Sequence, residues 1–208
     1  MLKHLNKTYK KPHRAVILGG GGFVSQEIEK NLKFKNISCL SLPRKKLDLL
    51  KKNSTKKLSK ILNSKDVIIF VAAKAPVKNE KMFLHNLLIC ETVCAVIKKK
   101  KIKHLVYISS DAIYADEKKP LKEKSIKKPN SLHGLMHLTR EIMLKNSFKG
   151  PICFIRPTLI YGNRDPHNGY GPNRFIRLAK KNKTIELFGN GEELRDHVWV
   201  EDVAELTS

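Results

Sequence analysis

The chain has 208 residues, 41% of them hydrophobic, which supports a domain with a core of its own and excludes a disordered polymer. The longest apolar run, residues 67–73, is too short to cross a bilayer, and the basic N-terminus leads into only four apolar residues, so neither a membrane span nor a signal peptide is expected. The net charge is +23, from 42 Lys and Arg against 19 Asp and Glu, but Lys dominates and is scattered with few aromatics between, which argues against a specific nucleic-acid reader built on Arg forks.

Residues 1–14 read as a loose basic leader. Residues 15–18 (Ala-Val-Ile-Leu) form a buried strand that runs into Gly19-Gly20-Gly21-Gly22, and residues 23–32 carry a helical apolar stripe. Such a turn either cradles a dinucleotide pyrophosphate at the helix N-terminus or is only a tight connection. Gly19 and Gly22 fit Gly-x-x-Gly; the third position, where helix and strand must pack closely, is the small Ser25.

A second strand is expected over residues 37–42. No acidic residue follows it to bond an adenosine ribose; Arg44 stands there instead, which suits a 2′-phosphate and favours NADP over NAD, or is only a surface residue. Asp48, in Leu47-Asp48-Leu49, either meets the adenine amino group or caps a helix over residues 54–62. Residues 66–73 form a strand buried on both faces, and Ala72-Ala73 at its carboxyl end leave room for a cofactor. A long amphipathic helix follows over residues 83–99, then a strand over 105–108 that ends in Ser109-Ser110-Asp111. Residues 132–144 are helical, and residues 152–155 form a strand before Arg156-Pro157. The alternation of strand and helix predicts an α/β, Rossmann-type, doubly wound parallel sheet with helices on both faces. Cys90 and Cys94 lie four apart on a helix and are expected in the core; none of the four cysteines forms a Cys-x-x-Cys pair, and reduced thiols suit a cytoplasmic protein.

These pieces, in this order, resemble the extended short-chain dehydrogenase/reductase family, the NAD(P)-dependent epimerases and dehydratases of nucleotide sugars. The resemblance runs from Ala15 to about Val203. It rests on Gly19-x-x-Gly22-Phe23-Val24, Leu47-Asp48-Leu49, residues 66–73, Asn86, Tyr107-Ile108-Ser109-Ser110, Tyr114, Glu123, Arg156-Pro157, Tyr161-Gly162, and Leu187-Phe188-Gly189-Asn190-Gly191 with Arg195-Asp196. It implies a cofactor site at Gly19, Gly22, Phe23, Val24, Arg44, Asp48, Leu49, Ala72, Ala73 and Asn86. It implies hydride transfer at a sugar carbon, with Ser110 orienting the hydroxyl. Asp111 stands where dehydratases carry an acid, but the next position is Ala112 rather than Glu, which leaves epimerase or reductase.

The departure is at the base. Where the family carries Tyr-x-x-x-Lys, this chain has His133-x-x-x-His137. An imidazole near pKa ~6.5 needs no neighbouring cation to act at neutral pH, unlike a phenol near ~10. His133 is then the candidate base and His137 the candidate ligand of the nicotinamide ribose. Two alternatives remain: the base is lost and only binding survives, or the pair ligates zinc with Glu141, for which nothing else in the sequence argues. Asn173, Arg174 and Arg195 match positions that grip a nucleotide diphosphate; otherwise Asn173 is a helix cap and Arg195 a surface ion-pair partner. Residues 186–189 read as a short strand and turn. The expected organisation is a cofactor domain over residues 1–160 and a partial, truncated substrate-binding segment over 161–208. Dimers through the two long helices are what such folds commonly form.

Overall fold

The computed structural model describes residues 8, 10–117, 119–166, 171–187, 189–192 and 194–208. Five strands form one parallel sheet: β1 (Arg14–Leu18), β2 (Cys39–Leu42), β3 (Asp66–Phe70), β4 (His104–Ile108) and β5 (Ile152–Ile155), in the order β2-β1-β3-β4-β5. The chain moves outward from β1 to β2 and then returns to the other side of β1. The direction of winding therefore reverses between β1 and β3, and the carboxyl ends of those two strands are where such a sheet opens a crevice.

Helices lie on both faces, as Rossmann winding requires. On one face α2 (Ser54–Ile61), α3 (Glu80–Ile97) and α4 (Leu132–Ser147) enclose a core that includes Val16, Leu18, Ile68, Phe70, Leu105 and Tyr107. On the other, α1 (Phe23–Phe34) and α6 (Val200–Thr207) pack on Ala15, Ile17, Ile69, Val106 and Ile155. Alternate residues of one strand thus serve opposite faces, which is why residues 15–18 are apolar without interruption. Cys90 and Cys94 fall in the first of these cores.

Three boundaries differ from the sequence expectation for identifiable reasons. Arg14 is not leader but the first residue of β1, because its guanidinium grips the buried Asp66 through two bonds of 2.9 and 2.7 Å; residues 1–7 and 9 of that leader lie outside the described residues. Helix α3 starts at Glu80 rather than Phe83 because the Asn79 side chain caps it, accepting from Met82 N–H at 3.0 Å. Strand β3 ends at Phe70, and the N–H groups of Val71 and Ala72 both turn onto the Leu18 carbonyl, at 2.9 and 2.8 Å. Ala72 and Ala73 thereby leave the ladder.

Beyond β5 the chain forms β6 (Leu159–Tyr161), α5 (Gly171–Ala179) and β7 (His197–Trp199), with β6 and β7 paired in parallel. Residues 186 and 187 take no strand conformation, contrary to expectation, and Phe188 lies outside the described residues. Residue 160, the expected end of the first unit, falls inside β6, and α6 returns to α1 and contributes Ala204 to the core.

Candidate active site

The turn after β1 is set by one close approach. Gly19 has φ +93°, and a Cβ there would lie 2.5 Å from both the Cα and the N of Ala72. No side chain fits, so β1 and β3 meet with only backbone and a methyl group between them. The Gly19 and Gly20 N–H groups both donate to the Leu42 carbonyl, at 3.1 and 3.2 Å. Gly22 N–H donates to Ser25 Oγ at 2.9 Å, and Ser25 is fully buried, so the serine at the third motif position closes the turn as a glycine would not. By contrast a Cβ at Gly21 would meet only Pro43, at 3.7 Å, and one at Gly22 only Ser25 Oγ, at 3.6 Å. The protein leaves this side of the turn open, over the N-terminus of α1. That space and those free first-turn N–H groups fit a pyrophosphate.

The remaining predicted cofactor residues divide by what their side chains touch. Arg44 Nε donates to Asp48 Oδ2 at 3.1 Å, and Leu50 N–H donates to Asp48 Oδ1, also at 3.1 Å, so Asp48 organises its own loop and does not cap α2. These two bonds hold the Asp48 carboxyl below its ordinary range, the Leu50 amide most of all. Leu49 is a core residue whose carbonyl receives the hydroxyls of Ser54 and Thr92. Asn86, fully buried, donates both amide hydrogens to the carbonyls of Lys74 and Met82 and accepts from Lys74 N–H. It therefore holds the segment after Ala72-Ala73 in place. Phe23 packs its ring against Gly162, where a Cβ would lie 3.1 Å from it, and Val24 packs partly buried on the α1–α6 core.

The catalytic candidates gather where α4 meets the end of β4. Ser131 caps α4, accepting from Gly134 N–H at 3.1 Å. A Cβ on Gly134 would stand 1.9 Å from the Ala112 carbonyl oxygen, so the first turn of α4 lies directly on the 3-10 turn of Asp111–Ile113. The Ser110 hydroxyl accepts from Ala112 N–H at 3.2 Å and donates to Asp111 Oδ1 at 3.1 Å. Burial raises the Asp111 carboxyl pKa, against the opposing pull of Ser110 and the nearby charge of Arg195.

His133 and His137 face each other edge to face, with ring centroids 4.8 Å apart. Nδ1 of His133 is buried without a partner among the described residues, and burial lowers the pKa of the ring. His137 is more deeply enclosed; burial first, then the charges of His133 and Arg140, holds it well below 6.5. Both imidazoles are neutral at pH 7. Three neighbours surround the pair; sequence reasoning named Tyr107 and Glu141 without these partners and missed Arg140. The Tyr107 hydroxyl lies 2.7 Å from His137 Nδ1. Arg140, fully buried, stacks 4.3 Å from the centroid of Phe70 and donates to the Ala72 carbonyl at 2.8 Å, tying α4 to the end of β3. Glu141 accepts from Ser109 at 2.7 Å and from Arg156 at 2.9 and 2.8 Å, and Arg156 also donates to Tyr114 at 2.7 Å. Glu141 is thus engaged away from the two histidines. The signal available for Arg140 and Glu141 was their seven- and eight-residue spacing from His133, which puts them on the sheet-facing side of α4.

Asp111, Tyr114, Arg156, Arg174 and Arg195 line one broad open cavity of about 3590 Å³. It is far larger than a small-molecule pocket because it continues over the face of β3, β4 and β5 past Val67, Ile69, Val106 and Cys153. The close approach of Gly19 and Ala72 lies outside its lining. Asn173 sits within α5 and donates to Asp165 at 2.7 Å, so it is not the cap of that helix. Among the described residues no helix is long and apolar enough to cross a membrane.

Residues 15–208 match the model of the NAD dependent epimerase/dehydratase family. An uncharacterized UDP-glucose epimerase of Bacillus subtilis (strain 168), YtcB, is 27% identical over 210 residues, covering 96% of this chain and 65% of that protein. A dTDP-D-glucose 4,6-dehydratase of Dictyostelium discoideum is 25% identical, covering 91% of this chain and 53% of that one. The chain thus spans between half and two thirds of the length of these relatives. Among solved structures, the UDP-N-acetylglucosamine 4-epimerase from Bacillus cereus superimposes with a TM-score of 0.80 at 24% identity, over 92% of this chain and 69% of that one. The Thermus thermophilus UDP-glucose 4-epimerase in complex with NAD gives 0.79 at 22% identity, over 93% and 73%.

Proposed function

The chain belongs to the NAD dependent epimerase/dehydratase family, and from that premise we propose that it binds a nicotinamide dinucleotide at the turn after β1 and serves hydride transfer at a carbon of a nucleotide sugar. The observation that carries this reading is the crevice itself: Gly19 pressed on Ala72, with open space over Gly21, Gly22 and the first turn of α1. A bound nicotinamide would supply the hydride acceptor and donor. Gly22, Phe23 and Val24 would present the pyrophosphate side of the site, with Ala72 and Ala73 forming its floor. Nδ1 of His133 is enclosed but the residue is half-buried, and in this reading the exposed part of its ring would take the sugar hydroxyl proton. Ser110 would orient that hydroxyl. Arg174 and Arg195, on the wall of the open cavity with Asp111, would hold the diphosphate, and Asn173 would act with them through Asp165.

NAD is the proposed cofactor. The absence of an acid after β2 favours NADP, but the Arg44 guanidinium is already paired with Asp48, and the NAD complex of the Thermus relative supports the dephosphorylated form. A homodimer is proposed through α3 and α4, which pack side by side and expose Leu84, Leu88 and Ile142; sedimentation analysis expecting twice the chain mass tests it. A second reading, dinucleotide binding without turnover, is favoured by the depth of His137. Fluorescence titration with NADH and NADPH, then a panel of sugar nucleotides, separates the two. In the catalytic reading His133→Ala lowers turnover roughly 10²–10⁴-fold while leaving the NADH dissociation constant unchanged. Unchanged turnover would remove His133 from the role of base.

A further inference from the structure

Tyr107 is the last aromatic residue before the site on β4, and it is enclosed rather than presented. Its ring lies 5.4 Å from Phe70 and edge-on to Phe154 at 6.3 Å, with the Arg140 guanidinium 5.2 Å from its centroid. With only 1% of its surface exposed it cannot touch a substrate. Burial raises its pKa, so the group is a phenol with one proton to donate. Its hydroxyl meets Nδ1 of His137 at 2.7 Å.

The direction of that bond follows from what surrounds it. Among the described residues, His137 Nδ1 is the acceptor within reach of the Tyr107 proton. The other polar neighbour, Arg140, is a guanidinium and has only donors. If Nδ1–H donated to the phenol instead, the phenol proton would be buried without an acceptor, at a cost of about 1–3 kcal/mol. The proton therefore runs from Tyr107 Oη to His137 Nδ1, and the single N–H of the neutral imidazole is on Nε2.

We infer that Tyr107 is a positioning residue that locks His137 as a neutral Nε2–H donor through its bond to Nδ1. The inference rests on the dinucleotide reading above, together with the role at the nicotinamide ribose that the family resemblance implies for His137. It gives that imidazole a fixed donor where the family carries an ammonium. It also keeps His137 uncharged beside His133, 4.8 Å away, so no cation on His137 opposes proton uptake by His133.

The test uses the full chain labelled with ¹⁵N-histidine. Long-range ¹H–¹⁵N spectra report which ring nitrogen carries the proton, and a His137→Gln spectrum identifies the His137 signals among those of the eight histidines. The expected result is protonated Nε2 and bare Nδ1 in the wild type. Tyr107→Phe, which keeps the ring and its packing, should give a mixture of both tautomers and a roughly three- to tenfold loss of NADH affinity. An Nδ1-protonated His137 in the wild type, or a spectrum unchanged by Tyr107→Phe, overturns the role of Tyr107. The wild-type spectrum decides even if the variant does not fold. A locked Nε2–H tautomer in a chain that binds neither NADH nor NADPH supports the lock and overturns the dinucleotide reading instead.

Discussion

At the turn after β1 the candidate site is made of backbone, while on α4 it is made of side chains. The first depends on what is missing: no Cβ at Gly19, and only ordinary contacts with Pro43 and Ser25 where a Cβ would stand at Gly21 and Gly22. The second depends on which groups are present, because the rings of His133 and His137 stand among Tyr107, which meets His137, and Arg140 and Glu141, each committed to a partner elsewhere. A surface of N–H groups is the same for any sequence able to take the conformation. A proton-transfer site is not. Two histidines where the resemblance implies a Tyr and a Lys therefore leave the first region untouched and rewrite the second.

The backbone half should fail most visibly at its glycines. Gly19→Ala should cost about 2–5 kcal/mol, from overpacking against Ala72 together with the positive φ, and should abolish NADH binding. Gly21→Ala shares the positive φ (+84°) but meets only Pro43, and should cost about 1 kcal/mol. Urea denaturation of the two variants measures the difference, and equal losses would mean that the Ala72 contact does not decide the turn.

On the side-chain half, Arg156→Ala should cost about 3 kcal/mol, because it leaves the Glu141 carboxylate buried and unpaired. Glu141→Gln, which can still accept from Ser109, should lose less in the same denaturation measurement. A loss from Arg156→Ala under about 1 kcal/mol would show the pair to be solvent-screened.

Acid should act on α4 and spare the turn. His133 and His137 have folded-state pKa values below 6.5, set mainly by burial, so as pH falls through about 6.5 the unfolded chain takes up protons that the folded chain refuses. Their contribution to stability is full above that value and declines below it, by about 1.4 kcal/mol per pH unit for each histidine until its folded pKa is reached. His137→Gln should reduce that slope in stability measured between pH 6 and pH 5, and an unchanged slope would place the titration elsewhere, for example at His104, also lowered by burial. The smallest effect is expected from Arg44→Ala. An exposed pair with Asp48 contributes under about 1 kcal/mol, so the ratio of NADPH to NADH affinity should move by less than tenfold. A larger fall in NADPH affinity would restore the preference for NADP.

Most of the sheet was legible in the chain because its signals are local. The apolar run of residues 15–18, the four glycines and the β-branched residues 66–71 each declare a strand or a turn within a few positions. Element ends were less legible, since they rest on one or two bonds such as Met82 N–H to Asn79 or the Arg14 pair to Asp66. The region after β5 was hardest: β6 and β7 have three residues each and carry no period long enough to read. Within the site, Ser110, His133 and His137 could be named from the sequence, but the functions of Asn86 and Leu49 as supports could not. Their side chains are polar or apolar as a cofactor contact would be, and the support they give shows only in their partners.

The doubly wound parallel sheet, the glycine turn and the presence of two histidines where a Tyr and a Lys were expected were all readable along the chain. Those features follow from spacing between residues, which short-range sterics convert directly into strand, turn and helix. Which groups the histidines meet was settled by long-range packing. Tyr107 is 30 residues from His137, and Arg140 is 68 residues from the Ala72 carbonyl it binds. A hydrogen bond needs its atoms within about 3 Å, and that distance is set by strand order and by the face α4 turns to the sheet.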